Sequence, residues 1–157
     1  MDWQRIAPAF VVDGSWRDIY VVNTTEMDWQ RVWEKLLSWE PRPVFHNNGA
    51  VLPLPTRATE VFASRETSSP SLMIIVGGAR VNCHFFTVEE IEFDIDPREI
   101  IGPDEALAIA DFMKLLGETT AKDVILTPEN GQEIVWARFS PGSAEVVWTP
   151  PDNAAPI

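Results

Sequence analysis

The segment Glu90-Ile91-Glu92-Phe93-Asp94-Ile95-Asp96 alternates acid and hydrophobe without a break. Successive side chains of a strand point to opposite faces. A period of two therefore puts Ile91, Phe93 and Ile95 on one side and Glu90, Glu92, Asp94 and Asp96 on the other. A helix would scatter the same residues around its circumference. The pattern predicts a strand with one greasy and one anionic face, with same-face carboxylates about 6.5–7 Å apart along it. Two readings of the row follow. It can be a solvent-facing strand whose charges discourage edge-to-edge pairing, or a strip that attracts and steers a basic protein partner. We take Glu90, Glu92, Asp94 and Asp96 as the candidate partner-binding residues.

The charge behind that row is unevenly distributed. Of 157 residues, 24 are acidic and 12 are Lys or Arg, for a net charge of −12. Residues 1–80 hold nine acids and eight bases, whereas residues 81–157 hold fifteen acids and four bases. A surface of that sign argues against nucleic acid, whose phosphates must be neutralised by clustered Lys and Arg, and against docking on an anionic membrane. The longest apolar run, Leu72 to Ala79, is eight residues, and a membrane helix needs about 20. An acidic Met1-Asp2-Trp3-Gln4-Arg5 start is unlike a signal peptide, so the expected compartment is the cytoplasm. The single Cys83 allows neither an internal disulfide nor a Cys-based zinc site.

Periodicity supplies the remaining elements. Asp13-Gly14, between Ala9–Val12 and Trp16–Val22, predicts a hairpin. Thr25-Glu26-Met27-Asp28 has the form of a capping box. Trp29, Val32, Trp33, Leu36 and Leu37 then recur at helical spacing, which predicts an amphipathic helix ending before Pro41. Its other face carries Asp28, Arg31, Glu34 and Lys35 and reads as solvated. Short strands are expected at Val44-Phe45 and Ala50–Leu54 around His46-Asn47-Asn48-Gly49, and a short helix over Thr56–Ala63. Strands follow at Leu72–Val76 and Val81–Phe86 across Gly77-Gly78, and then Thr87–Asp96. Pro103 opens a second helix with Ile109, Phe112, Met113 and Leu116 inward, and Gly117 is expected to stop it. Val124–Thr127, Gln132–Phe139 and Glu145–Trp148 read as closing strands. The fold class is α+β: a mostly antiparallel sheet with two amphipathic helices packed on one face, in one domain over residues 1–149. The order strands, helix, strands leaves open two similar halves, and residues 150–157 read as a loose Pro-rich tail. Met1-Asp2-Trp3-Gln4-Arg5 recurs at Met27-Asp28-Trp29-Gln30-Arg31 and is read as coincidence.

Catalytic constellations are scarce. There is no Gly-x-Ser-x-Gly, no P-loop after Gly77-Gly78 and no Gly-x-Gly-x-x-Gly. Cys83 and His84 are adjacent, so on a strand they face opposite ways and cannot act as nucleophile and base. Cys83 with the distant His46 keeps a geometric possibility, against the plainer reading of a small buried thiol. Glu92-x-Asp94-x-Asp96 presents three carboxylates suited to Mg²⁺, Mn²⁺ or Ca²⁺, the basis of an alternative reading as a metal-dependent enzyme. A small-ligand pocket between helices and sheet is a further alternative. No cofactor is expected.

At Asp13-Gly14-Ser15-Trp16-Arg17-Asp18-Ile19-Tyr20-Val21, Asp28-Trp29-Gln30-Arg31, Ile91 to Glu99, Phe112-Met113 and Val124 to Asn130, the chain resembles small acidic bacterial proteins without an assigned function. In size, acidity and lack of catalytic groups it is also similar to immunity proteins of bacterial toxin systems. That resemblance implies a non-catalytic protein that docks a basic partner, and it carries over no individual residue.

Overall fold

A computed structural model describes residues 1–152; the rest of the Pro-rich tail expected over 150–157 lies outside the described residues. The described residues form nine strands: β1 Arg17–Val22, β2 Val44–Asn47, β3 Ala50–Leu52, β4 Pro70–Val76, β5 Ala79–His84, β6 Glu90–Ile95, β7 Val124–Pro128, β8 Ala137–Phe139 and β9 Val147–Trp148. They make one open antiparallel sheet in the order β3-β2-β4-β5-β6-β1-β7-β8-β9. Four helices accompany it: α1 Trp3–Ile6, α2 Glu26–Leu37, α3 Ala58–Ser64 and α4 Pro103–Thr120. The α+β class stands. Among the described residues no helix is long and apolar enough to cross a membrane.

The expected alternation decides which face is covered. Ile91, Phe93 and Ile95 of β6 are fully buried, as are Leu72 and Ile74 of β4 and Val81 and Cys83 of β5. They join Trp29, Val32, Trp33 and Leu36 of α2 and Ile109, Phe112, Met113 and Leu116 of α4 in one core. Phe93 meets Phe112 edge-on with centroids 5.0 Å apart, so strand and helix interlock at the centre of the sheet. Buried tryptophans keep their N–H groups bonded: Trp29 donates to the Val88 carbonyl at 3.1 Å and Trp33 to that of Pro55 at 2.9 Å.

Helix α2 begins as its sequence dictates. The Asp28 N–H donates to Thr25 Oγ1 at 3.3 Å, and the Thr25 N–H donates to Asp28 Oδ2 at 3.0 Å, closing the capping box. Asp28 is nevertheless buried rather than solvated, with Lys122 Nζ 3.3 Å from its carboxylate. The two Met-Asp-Trp-Gln-Arg copies both coincide with helices, α1 and the first turns of α2.

Three local expectations are corrected. No hairpin forms at Asp13-Gly14: Ala7–Phe10 is a 3-10 turn and only β1 is extended. Arg17 is the cause. Its guanidinium is buried and takes the Ala9 carbonyl at 2.6 Å and the Val11 carbonyl at 2.5 Å, acceptors that a strand ladder would need. Gly117 does not stop α4, which runs to Thr120 and ends where Ala121 turns left-handed at φ 56°. A side chain at 117 would have its Cβ 2.3 Å from the Phe139 ring, so this glycine exists to let α4 approach β8. Finally, residues 132–136 are not a strand; β8 starts at Ala137, and β9 is only Val147–Trp148.

Candidate functional site

Strand β6 is not an edge. It lies between β5 and β1 near the middle of the sheet, which removes edge protection as the reason for its acids. Its outward carboxylates are therefore surrounded by cross-strand neighbours. Asp94 is paired in register with Asn82 of β5 and Asp18 of β1, and Glu92 with His84 of β5 and Tyr20 of β1. Two acids directly opposite on one sheet face, as Asp18 and Asp94 are, oppose folding unless something offsets them.

Most of that charge is matched within the fold. Asp94 Oδ2 lies 2.5 Å from His84 Nε2, and Asp94 Oδ1 accepts from Asn82 Nδ2 at 2.7 Å. Asp18, only 3% exposed, has one carboxylate oxygen accepting both the Tyr20 hydroxyl at 2.9 Å and the Asn130 N–H at 2.7 Å. The segment after β7 supplies that second donor by crossing over β1, and Gln132 on the same segment donates to Glu90 Oε2 at 2.7 Å. Asp96 leaves the row altogether. Strand β6 ends at Ile95, and Asp96 caps the turn Pro97–Glu99 while gripping Arg98 through two nitrogens at 2.9 and 2.6 Å. Of the four predicted residues, Glu90, Glu92 and Asp94 share one outward face, and Asp96 is occupied with Arg98.

Glu92 differs from the others: among the described residues its side chain makes no hydrogen bond and no ion pair. It is half-buried beside the acids of β1 and β6. Loss of water, reinforced by Asp18, pushes its carboxyl from 4.5 up to about 7, with nearby His84 pulling the other way. Burial likewise raises Asp18, against its two hydrogen bonds. The bond to Asp94 raises His84. Perturbed groups gathered in one place are a mark of function.

These groups line an open pocket of about 240 Å³ formed by Trp16, Asp18, His84, Phe86, Glu92, Asp94, Glu129 and Asn130. Its rim is aromatic: Trp16 is 37% and Phe86 51% exposed, and Phe86 stacks on the His84 ring at 5.1 Å. Glu129 is anchored by the Trp16 N–H at 3.1 Å. The row of acids marks only part of this pocket. Trp16, Asp18 and Tyr20 share the parity of an outward face, as do Asn82, His84 and Phe86, and that pattern was visible in the chain. Which strands lie side by side was not.

The pocket gathers Asp18, Glu92, Asp94 and Glu129 beside one histidine, a carboxylate-rich lining. Cys83 and His84 do face opposite ways; the thiol is fully buried and burial pushes its pKa well up, so it is a poor nucleophile. Among the described residues no three His, Cys, Asp or Glu side chains converge as metal ligands. A wider groove of about 400 Å³ lies between α1, α4 and β9, outside the helix–sheet interior. Comparison with protein-family models, curated proteins and solved structures finds no match to this chain.

Proposed function

We propose that the protein is a cytoplasmic, non-catalytic binding protein, of the immunity or inhibitor kind, that docks a basic protein partner through the acidic face of β6. One observation carries the reading: Glu92 is a half-buried carboxyl whose side chain, among the described residues, makes no hydrogen bond or ion pair, and it opens into a pocket that also holds Asp18, His84, Asp94 and Glu129. Burial pushes that carboxyl up to about 7, and a cation seated beside it would favour the charged form and offset the cost of its desolvation. The fifteen acids against four bases of residues 81–157 supply the longer-range field that speeds encounter with a basic surface.

The test compares wild type with a Glu90→Lys, Glu92→Lys variant as bait in a bacterial lysate, with retained proteins identified by mass spectrometry. A basic partner should bind the wild type, weaken steeply with salt and be lost from the variant, with association slowed about tenfold or more. Recovery of the same proteins by both baits, or of partners without basic character, would remove the reading.

A further inference from the structure

The acidic pocket occupies one end of a broader uncovered surface. Across β4, β5 and β6 every second residue is buried beneath the helices and the alternate ones keep contact with water. The register extends the rows of the pocket sideways: Asp94 pairs with Asn82, Asn82 with Met73 and Met73 with Val44. Met73 is thus two strands from Asp94, about 10 Å at normal strand spacing. Val44, Met73 and Ile75 remain part-exposed on this side, an apolar band that lies beyond Asn82 from the carboxylates and ends at Arg80, the neighbour of Ile75, whose charge Glu99 pairs. Charge complementarity decides what can lie there. A neutral apolar segment would leave Glu92 uncompensated, and a purely basic one would leave the band wet.

We infer that this sheet face docks a partner segment presenting one arginine flanked by apolar side chains, with the guanidinium between Trp16, Phe86 and Glu92 and the flanking groups on Val44, Met73 and Ile75. The inference rests on the proposed function and adds which group is recognised and how. Arginine fits better than lysine. Its planar head stacks on aromatic faces and donates in a fork to carboxylates, whereas an ammonium is a compact, strongly hydrated charge.

Isotope-labelled protein titrated with acetyl-arginine amide should show NMR shifts clustered at Trp16, His84, Phe86 and Glu92. Acetyl-lysine amide should act several-fold more weakly, and the uncharged isostere acetyl-citrulline amide should have no effect. Glu92→Gln should weaken the arginine response about tenfold, one charge-assisted contact being worth that much. For the band, acetyl-Ala-Leu-Arg-Leu-Ala amide should bind about fivefold or more tightly than its Ser-Arg-Ser counterpart, an advantage lost in Met73→Ser. An unchanged amide spectrum elsewhere verifies that both variants fold. Equal responses to arginine and citrulline, or shifts away from these residues, overturn the pocket; equal peptide affinities overturn the band. If a basic partner still depends on Glu90 and Glu92 while the arginine probe is silent, this inference falls and the proposed function survives. If neither responds, both fall.

Discussion

Glu92 shows how one residue can couple the stability of a fold to acidity. The folded protein holds its proton more tightly than the unfolded chain does, the carboxyl moving from 4.5 to about 7. Stability from this group therefore falls as pH rises across that window. His84, also raised, acts in the same sense, its pairing with Asp94 being lost as the imidazole gives up its proton. Glu92→Gln should match the wild type near pH 4 and exceed it by about 1 kcal/mol near pH 8, a figure well below the full shift because the side chain keeps contact with water. Urea unfolding at the two pH values checks this; a variant no more stable at the higher pH would show that the carboxylate is not under strain. None of this energetics was readable from the row itself. Period two assigned Glu90, Glu92 and Asp94 to one face correctly. The partners that distinguish them, His84, Asn82, Asp18 and Gln132, come from strands and a loop far away in the chain.

Among the elements, helices α2 and α4 were the most legible, because a helix is specified by residues close together in sequence. Thr25 and Asp28 close the cap, and Pro103 starts α4, as local chemistry requires. Failures came where tertiary contacts overrode local signals. Asp13-Gly14 has hairpin chemistry, yet Arg17 claims the carbonyls of residues 9 and 11. Gly117 has the composition of a helix stop, yet it is a spacer against Phe139. Gly117→Ala separates the two roles. In an ordinary helix interior it would stabilise by about 1 kcal/mol. Here the added methyl meets the Phe139 ring and should instead destabilise by about 1–3 kcal/mol through overpacking. Thermal unfolding decides the sign, and a second change, Phe139→Leu, should restore part of the loss.

For the molecule as a whole, the α+β class followed from counting strands and helices, but the strand order did not. Strand β1, from the nearly neutral first half, is inserted between β6 and β7 of the acidic half. A net charge of −12 on a chain of this size repels itself, and salt screens that repulsion. Raising NaCl from about 20 to 300 mM should stabilise the fold by about 1 kcal/mol, or 2–4 °C in Tm. A melting temperature that fell with salt would mean that internal pairs such as His84 with Asp94 outweigh the overall repulsion.

The position of β1 also bears on how the protein is made. Its strand is complete by Val22, but the slot that receives it needs β6 and then β7, which ends at Pro128. A ribosome adding residues at ordinary rates takes roughly 5–20 s to cover that interval. Until β6 is made, Ile19, Tyr20, Val21 and Val22 have no strand neighbour, and the side that β7 closes stays open until Pro128. For that time the two flanks of β1 depend on strands that the chain has not yet supplied.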